Sequence, residues 1–268
     1  MNHSVAENSV RENRVAEYIT TGSGSETLLF LHGLGGDHTN WAPQLDALSA
    51  DYRCIAWTMP GYGNSPAVDE LTWPGLADAA AQVLTAAGVK TASVVGLSMG
   101  GYVAQQLAAD HPHRIDRVVL AATSSRFGRG DQTFTQRFLE SRLGPIEAGQ
   151  TPASLAPTIG PSLLSEDVAA DAIVNVVRSM SRISPDAYRR ALACLVTWDF
   201  TERLCEITQP VLCLAGAHDR TAPVAAAQTL VDGLVHGRLE VLDDCQHLMN
   251  LDRPAEFSAA LRRFLQAG

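Results

Sequence analysis

Lysine is almost missing from this chain. Its 268 residues include one lysine, Lys90, against 19 arginines. A coding bias explains that skew as well as any function does, and no function is drawn from it. Basic residues are also outnumbered, with a formal net charge of −9, which argues against a nucleic-acid partner. Cysteine is sparse and unpatterned. The five cysteines, at 54, 194, 205, 213 and 245, are odd in number and show no C-x-x-C or ligand spacing. A disulfide framework and a cysteine-held metal are thereby excluded, and reduced core thiols are expected. No apolar run approaches the length of a membrane span. The opening stretch MNHSVAENSVREN is polar and has no apolar h-region. The sequence therefore predicts a cytoplasmic protein without a membrane or nucleic-acid partner, whose partner is a small-molecule substrate. No cofactor and no metal are expected, and a homo-oligomer is left open.

Present instead is the make-up of a globular domain, 46% apolar and 18% charged. There is no internal repeat and no low-complexity tract. Residues 4–20 suggest two short strands, with turn signals near Asn8 and Asn13. A buried strand, ETLLFLHG (26–33), is followed by a glycine loop and a helix to about Ala50. Strand and helix then alternate: a strand to Trp57, a helix over 72–88, strands over 91–97 and 115–123, and a helix over 99–110 between them. Such alternation predicts a mostly parallel sheet with helices on both faces.

The alternation breaks after Thr123. From Arg126 to Asp199 only helical patterns occur, DQTFTQRFLESRL, EDVAADAIVNVVRSMSRI and SPDAYRRALACLV, with Pro and Gly between them at 144–161. Alternation resumes with QPVLCLAG (209–216), a helix over 223–234, the strand RLEVLD and a last helix over 253–266. The chain thus divides into a core of 1–125 and 200–268 and a helical lid, or cap, of 126–199. The lid emerges at the carboxyl edge of the sheet, where ligands bind in such folds. It carries eight Arg and eight Asp or Glu, so the whole net charge lies outside it.

Chemistry concentrates where VVGL turns into a helix, at GLSMGG. Gly96 and Gly100 flank Ser98 in G-x-S-x-G. A strand turning sharply into a helix tolerates little bulk there, and it forces the apex residue into a strained conformation that projects its hydroxyl. The helix N-terminus that follows offers unpaired N–H groups and a partial positive charge. Ser98 is the candidate nucleophile.

A nucleophilic serine needs a base, an orienting acid and an oxyanion hole. Of eight histidines, His3 and His236 lie in polar, turn-like surroundings, and His111 and His113 flank Pro112 at a helix end. His32 precedes Gly33 in a glycine loop, a structural position. His247 alone combines the loop after the last strand with the end of the chain, and it is the candidate base. For the acid, Asp243 and Asp244 are too near His247 in sequence to double back onto its ring. Asp199 reads as a helix cap at the lid boundary. Asp219, in LAGAHDRTAP, leaves a strand beside the one that leads to His247 and is the expected acid, although an N-cap is its ordinary use. The oxyanion donors are expected to be the Met99 amide and, from HGLGG, the Leu34 amide. That loop lacks the third glycine of a dinucleotide-binding fingerprint.

With LHGLGG, MPGYGNS, GLSMGG, GAHDRTAP and HLMNLDRP in this order, the sequence resembles the α/β-hydrolase superfamily over nearly its whole length. Within it, GLSMGGYVAQQLA, VVLAATSSRFG and WDFTERLCEITQPVLCLAGAHD make it most similar to the 3-oxoadipate enol-lactonase and carboxylesterase group. The resemblance implies an eight-stranded sheet with the lid inserted after strand 6. It also implies hydrolysis of an ester or lactone through an acyl-enzyme on Ser98. Relatives that carry Asp at the elbow, the haloalkane dehalogenases and epoxide hydrolases, are excluded by the serine. C–C hydrolysis of vinylogous diketones stays open, as does a non-catalytic ligand-binding receptor on the same fold. One departure is Thr58, where relatives carry Asp before the x-P-G-x-G turn. Arg126 is a candidate reader of a substrate carboxylate, weighed against a solvated hinge arginine. Phe134, Phe138, Met180 and Trp198 are candidates for lining an acyl or ring pocket, weighed against packing between lid and core.

Overall fold

The computed structural model describes residues 15–267. Seven strands make one sheet: β1 (Tyr18–Thr21), β2 (Thr27–Leu31), β3 (Arg53–Trp57), β4 (Ala92–Leu97), β5 (Ile115–Ala121), β6 (Val211–Gly216) and β7 (Gly237–Leu242). Their order is β1-β3-β2-β4-β5-β6-β7. β1 runs antiparallel to β3, and every other neighbouring pair is parallel. Of the two short strands expected over 4–20, one is β1. Residues 4–14, where another would fall, lie outside the described residues, so the eight-strand expectation stands at seven described strands, and the lid follows the fifth of these.

The helices are α1 (Ala42–Leu48), α2 (Trp73–Ala86), α3 (Met99–Asp110), α4 (Gln132–Glu147), α5 (Pro152–Ile159), α6 (Ala170–Ser181), α7 (Pro185–Leu195), α8 (Val224–Gly233), α9 (Met249–Asp252) and α10 (Pro254–Gln266). β2, β4 and β6 are buried at every position, as a strand covered on both faces must be. Side-chain alternation divides the core. Leu29, Leu31, Val94 and Val118 pack with α2, α3 and α8 on one face, while Leu28, Phe30, Val95 and Val119 pack with α1 and α10 on the other.

The chain steps from β2 outward to β3 and then back across to β4, so the topology reverses between β2 and β4. Loops leaving the carboxyl ends of those two strands meet there, at the place where open α/β sheets bind ligands. Lys90 is exposed at the opposite edge, just before β4 begins.

Between β5 and β6 the chain is entirely helical apart from its connections. Its two ends are zipped together. Arg126 and Asp199 form an isolated antiparallel bridge, the Phe127 N–H donates to Trp198 O at 3.0 Å, and the Phe200 N–H donates to Ser125 O at 2.7 Å. Two details differ from the sequence reading. α4 continues through Gly144 and Pro145 to Glu147, and α5 occupies part of the Pro/Gly stretch. α5 has a local cause. The Thr151 side chain accepts from the Ser154 amide and the Ser154 side chain accepts from the Thr151 amide, with Pro152 at the first helical position.

Candidate active site

Ser98 sits between β4 and α3 with φ 53° and ψ −117°, in the left-handed half of backbone space that costs a non-glycine residue on the order of 1–3 kcal/mol. Its neighbours explain why the strain persists. A Cβ on Gly96 would lie 2.3 Å from Gly100 O, and a Cβ on Gly100 would lie 2.1 Å from Leu31 O. Only glycine permits α3 to approach β2 and β4 so closely, and that approach holds the elbow. From the β5 side, the Ser98 N–H donates to Ala121 O at 2.8 Å and the Thr123 hydroxyl donates to Ser98 O at 2.9 Å.

The three side chains expected to act together meet here. Ser98 Oγ is 2.9 Å from His247 Nε2, and His247 Nδ1 is 2.8 Å from Asp219 Oδ2. Asp219 follows β6. Its second oxygen accepts the amides of Thr221 at 2.7 Å and Ala222 at 2.9 Å. Burial alone would push the Asp219 carboxyl up. The His247 charge, the His247 hydrogen bond and the two amides outweigh it and hold the group below the usual carboxylate range. An ionised Asp219 can only accept, so Nδ1 carries a proton, and in the neutral ring that leaves Nε2 facing Ser98 as the acceptor. The competing carboxylates lie elsewhere. Asp199 pairs with Arg126 Nε at 3.1 Å, and Asp244 approaches His218 at 3.7 Å. His3 lies outside the described residues.

The loop after β2 supplies the facing wall. A Cβ on Gly33 would lie 3.2 Å from Ser98 Cβ, so its backbone rests against the serine. His32 fastens this loop. Its Nε2 accepts the Met59 N–H at 3.0 Å, which leaves Nδ1 to donate to Gly33 O at 2.8 Å. Burial lowers the His32 pKa to about 4 and keeps the ring neutral. The Leu34 N–H donates to no group among the described residues, and the Met99 N–H is the first of α3 and has no partner within the helix. Thr58 accepts the His38 N–H at 3.3 Å and meets His38 Nδ1 at 2.8 Å. The hydroxyl thus ties the loop after β3 to the one after β2.

Above these groups a cavity opens under the lid, with about 1420 Å³ of free space when the open solvent at its mouth is counted. Ser98, Leu34 and His247 line its floor, and Phe134, Phe138 and Met180 line its lid side. Two sequence candidates are not among its lining residues. Trp198 is stacked between Tyr102 (4.9 Å) and Phe200 (5.0 Å), with Trp73 edge-on at 4.8 Å. It belongs to the packing where the lid rejoins the core. Arg126 is held by Asp199 at the zipped lid boundary and does not line the cavity. Three other arginines do: Arg129, Arg142 and Arg220. None of them pairs with a carboxylate among the described residues. Arg142 lies over the Phe138 ring, 5.7 Å from its centre. The charges of the lid were countable in the sequence, but that Arg126 is held at the boundary depends on its pairing with Asp199. Among the described residues, no group of three or more His, Cys, Asp or Glu side chains could hold a metal ion. Nor is any helix among them long and apolar enough to cross a membrane.

A strained serine at a strand-to-helix elbow, a histidine after the last strand and an intervening helical lid define an α/β-hydrolase. The α/β-hydrolase-fold family model matches residues 26–254, and the chain belongs to that family. It is 30% identical, over 92% of its length, to a dihydrolipoyllysine-residue acetyltransferase component of the acetoin cleaving system of Cupriavidus necator, and it spans 66% of that protein. It is 29% identical to 3-oxoadipate enol-lactonase 2 of Acinetobacter baylyi, covering 93% of this chain and 92% of that one. Among solved structures, a thermophilic esterase from Thermogutta terrifontis shares the fold, with a TM-score of 0.83 at 24% identity over 93% of this chain and 92% of the other.

Proposed function

We propose that this hydrolase cleaves a carboxylic ester or lactone, an enol-lactone among the candidates, through an acyl-enzyme on Ser98. The observation that carries this reading is the continuous hydrogen-bonded chain Ser98–His247–Asp219 at the strained elbow.

The chemistry follows from those positions. Ser98 Oγ attacks the substrate carbonyl carbon while His247 Nε2 takes the hydroxyl proton. The carbonyl oxygen becomes an oxyanion and takes the otherwise unused Leu34 and Met99 N–H groups as donors. Asp219 stabilises the imidazolium and remains ionised. His247 then gives its proton to the departing alkoxide or enolate oxygen, and the carbonyl re-forms as the Ser98 ester. In a lactone the leaving oxygen stays attached to the acyl chain. Water, deprotonated by His247, attacks the acyl carbon; Ser98 departs, recovers its proton and releases the acid.

The cavity supports an acidic substrate. Its apolar walls favour a hydrocarbon or ring portion, and Arg129, Arg142 and Arg220, which line it without a carboxylate partner among the described residues, favour an anionic group. The carboxylate-reading role weighed for Arg126 against a hinge arginine is thereby proposed for these three instead. A panel of simple esters, enol-lactones and vinylogous diketones, with Ser98→Ala as control, tests the proposal. Ser98-dependent turnover of esters or lactones sustains it. Turnover confined to diketones would move the chemistry to C–C cleavage, and no Ser98-dependent turnover would favour a binder. A fluorophosphonate probe should label Ser98 alone.

A further inference from the structure

The loop that carries His247 is gripped from two sides. On the core side the His218 N–H donates to Cys245 O at 2.9 Å. Gly216 is pressed so close to this loop that a Cβ there would lie 2.5 Å from Gln246 O. On the other side the contacts lead to the lid, directly or through Asp252 of α9. The Leu248 N–H donates to Leu163 O at 3.1 Å. The Gln246 N–H donates to Asp252 Oδ2 at 2.8 Å. Asp252 in turn takes two donors from lid residue Ser165: its N–H at 2.8 Å on Oδ1 and its hydroxyl at 3.0 Å on Oδ2. The hydroxyl proton is shared with Asp244 O, 3.1 Å away. The residues immediately before and after His247 are therefore both anchored on the lid side, one through a carboxylate and one directly.

Asp252 is 5% exposed. A buried carboxylate survives only where hydrogen bonds replace its hydration. Here the replacement donors come from two segments far apart in sequence, and neither Gln246 nor Ser165 itself lines the cavity. Leu164, Ala172, Val176 and Leu251 close an apolar cluster beside them, and Arg253 Nη2 pairs with Asp167 at 2.9 Å.

We propose that Asp252 is a positioning residue: it latches the lid segment around Ser165 to the His247 loop, so that seating of the lid sets the aim of the imidazole at Ser98. The latch rests on the hydrolase reading above. It touches no reacting atom and acts only through His247. Misplacing a catalytic group by about 1 Å costs on the order of 10² in rate, and removal of Asp252 strands the amides of both Gln246 and Ser165.

Two substitutions and their combination test this. Asp252→Asn keeps the size of the side chain and one acceptor oxygen, but it turns an NH₂ toward at least one N–H donor. Ser165→Pro deletes the lid's N–H and hydroxyl while leaving Asp252 and Gln246 paired; Leu164 is already extended, with φ −118° and ψ 155°, as a residue before proline must be. On folded protein, kcat for the best ester should fall about 10–100-fold in Asp252→Asn and about 3–10-fold in Ser165→Pro, with KM within about threefold. Fluorophosphonate labelling should slow in step with kcat. The double variant should lose little beyond Asp252→Asn, because the two act through one contact. A folded Asp252→Asn with kcat within twofold of the parent would overturn the latch. So would Ser165→Pro without any loss of kcat, losses confined to KM, or full additivity. If Asp252→Asn does not fold, Ser165→Pro alone decides. Ser98→Ala is run alongside: activity surviving in it sinks the hydrolase reading, whereas an inactive Ser98→Ala beside a fully active Asp252→Asn sinks the latch alone.

Discussion

The cavity has two walls built on different physical terms. The sheet-side wall is made of backbone. A left-handed serine, glycines that a single methyl would displace, and amides aimed by the ends of strands fix its shape. The lid-side wall is made of side chains. Phe134 and Phe138 stand on an exposed helix and Met180 on an amphipathic one, with Arg142 resting on a ring. Backbone geometry tolerates almost no substitution, because strain and close approach are not negotiable. Side-chain surfaces tolerate many, each at a modest cost. Such a division lets one chemistry persist while substrates change, and it implies that variants of the two walls will fail in different ways.

The largest effect belongs to the sheet wall. Ser98→Ala should cut kcat by on the order of 10³–10⁶ as triad knockouts do, while the melting temperature stays near that of the parent, because alanine keeps the same strained backbone. Parent-like turnover in a pure preparation would remove the serine from the mechanism. Asp219→Asn comes next. The amide can donate to the ring where the carboxylate accepted, favouring the wrong tautomer, and kcat should fall by up to roughly 10⁴. Asp199→Asn should change kcat less than threefold, because its partner is Arg126 at the lid boundary. Reversed magnitudes in these two would relocate the orienting acid.

A pH experiment separates the walls by stability instead of rate. His32 is neutral when folded, with a pKa near 4, against an unfolded value near 6.5. Its folded pKa is the depressed one. Between those values the unfolded chain therefore binds a proton that the folded chain refuses, and stability falls as pH drops from about 6.5 toward 4. The difference amounts to about 3 kcal/mol. Asp219 adds to the loss further down, as pH falls below the carboxylate range through its lowered folded pKa. Chemical denaturation at pH 7 and pH 4.5 should show the drop, and His32→Gln should flatten it. An unchanged slope in that variant would assign the acid sensitivity elsewhere.

The smallest effects belong to the lid wall. Arg142→Ala should lower kcat/KM for an acid-bearing ester about 10–100-fold relative to a neutral one, the worth of one charged hydrogen bond. Arg126→Ala should lower both equally and slightly, since its ion pair is half exposed and such pairs contribute little. Equal losses on both esters in Arg142→Ala would strip the lid of the charge-reading role.

The same division explains what the sequence made legible. The elbow could be read because its constraint is local: the glycines two residues either side of Ser98 have to be glycines, and they say so in five letters. His247 and Asp219 could be read because strand order fixes which loops meet. The lid's direction-finding could not. Arg126, Arg129 and Arg142 look alike in sequence, and only the long-range bridge between Arg126 and Asp199 decides that the first stays at the hinge. Trp198 offered a pocket face and a packing face equally, and the rings of Tyr102, Trp73 and Phe200 claimed it. Asp252, in NLDRP, gives no local sign that its partners are Gln246 and a lid serine 87 residues away. α5 had a signal, the Thr151–Ser154 box, hidden among prolines and glycines that ordinarily mark a loop.

The solitary lysine has a practical consequence. Lys90 is exposed before the first residue of β4, and Ser98 follows the last, so roughly 20 Å of strand lies between them. An amine-reactive surface, operated at a pH where the ε-amine outcompetes the chain's terminal amine, would capture every molecule by the same point. The captured molecules would share one orientation, with the mouth of the cavity turned away from the support and open to the flowing solution.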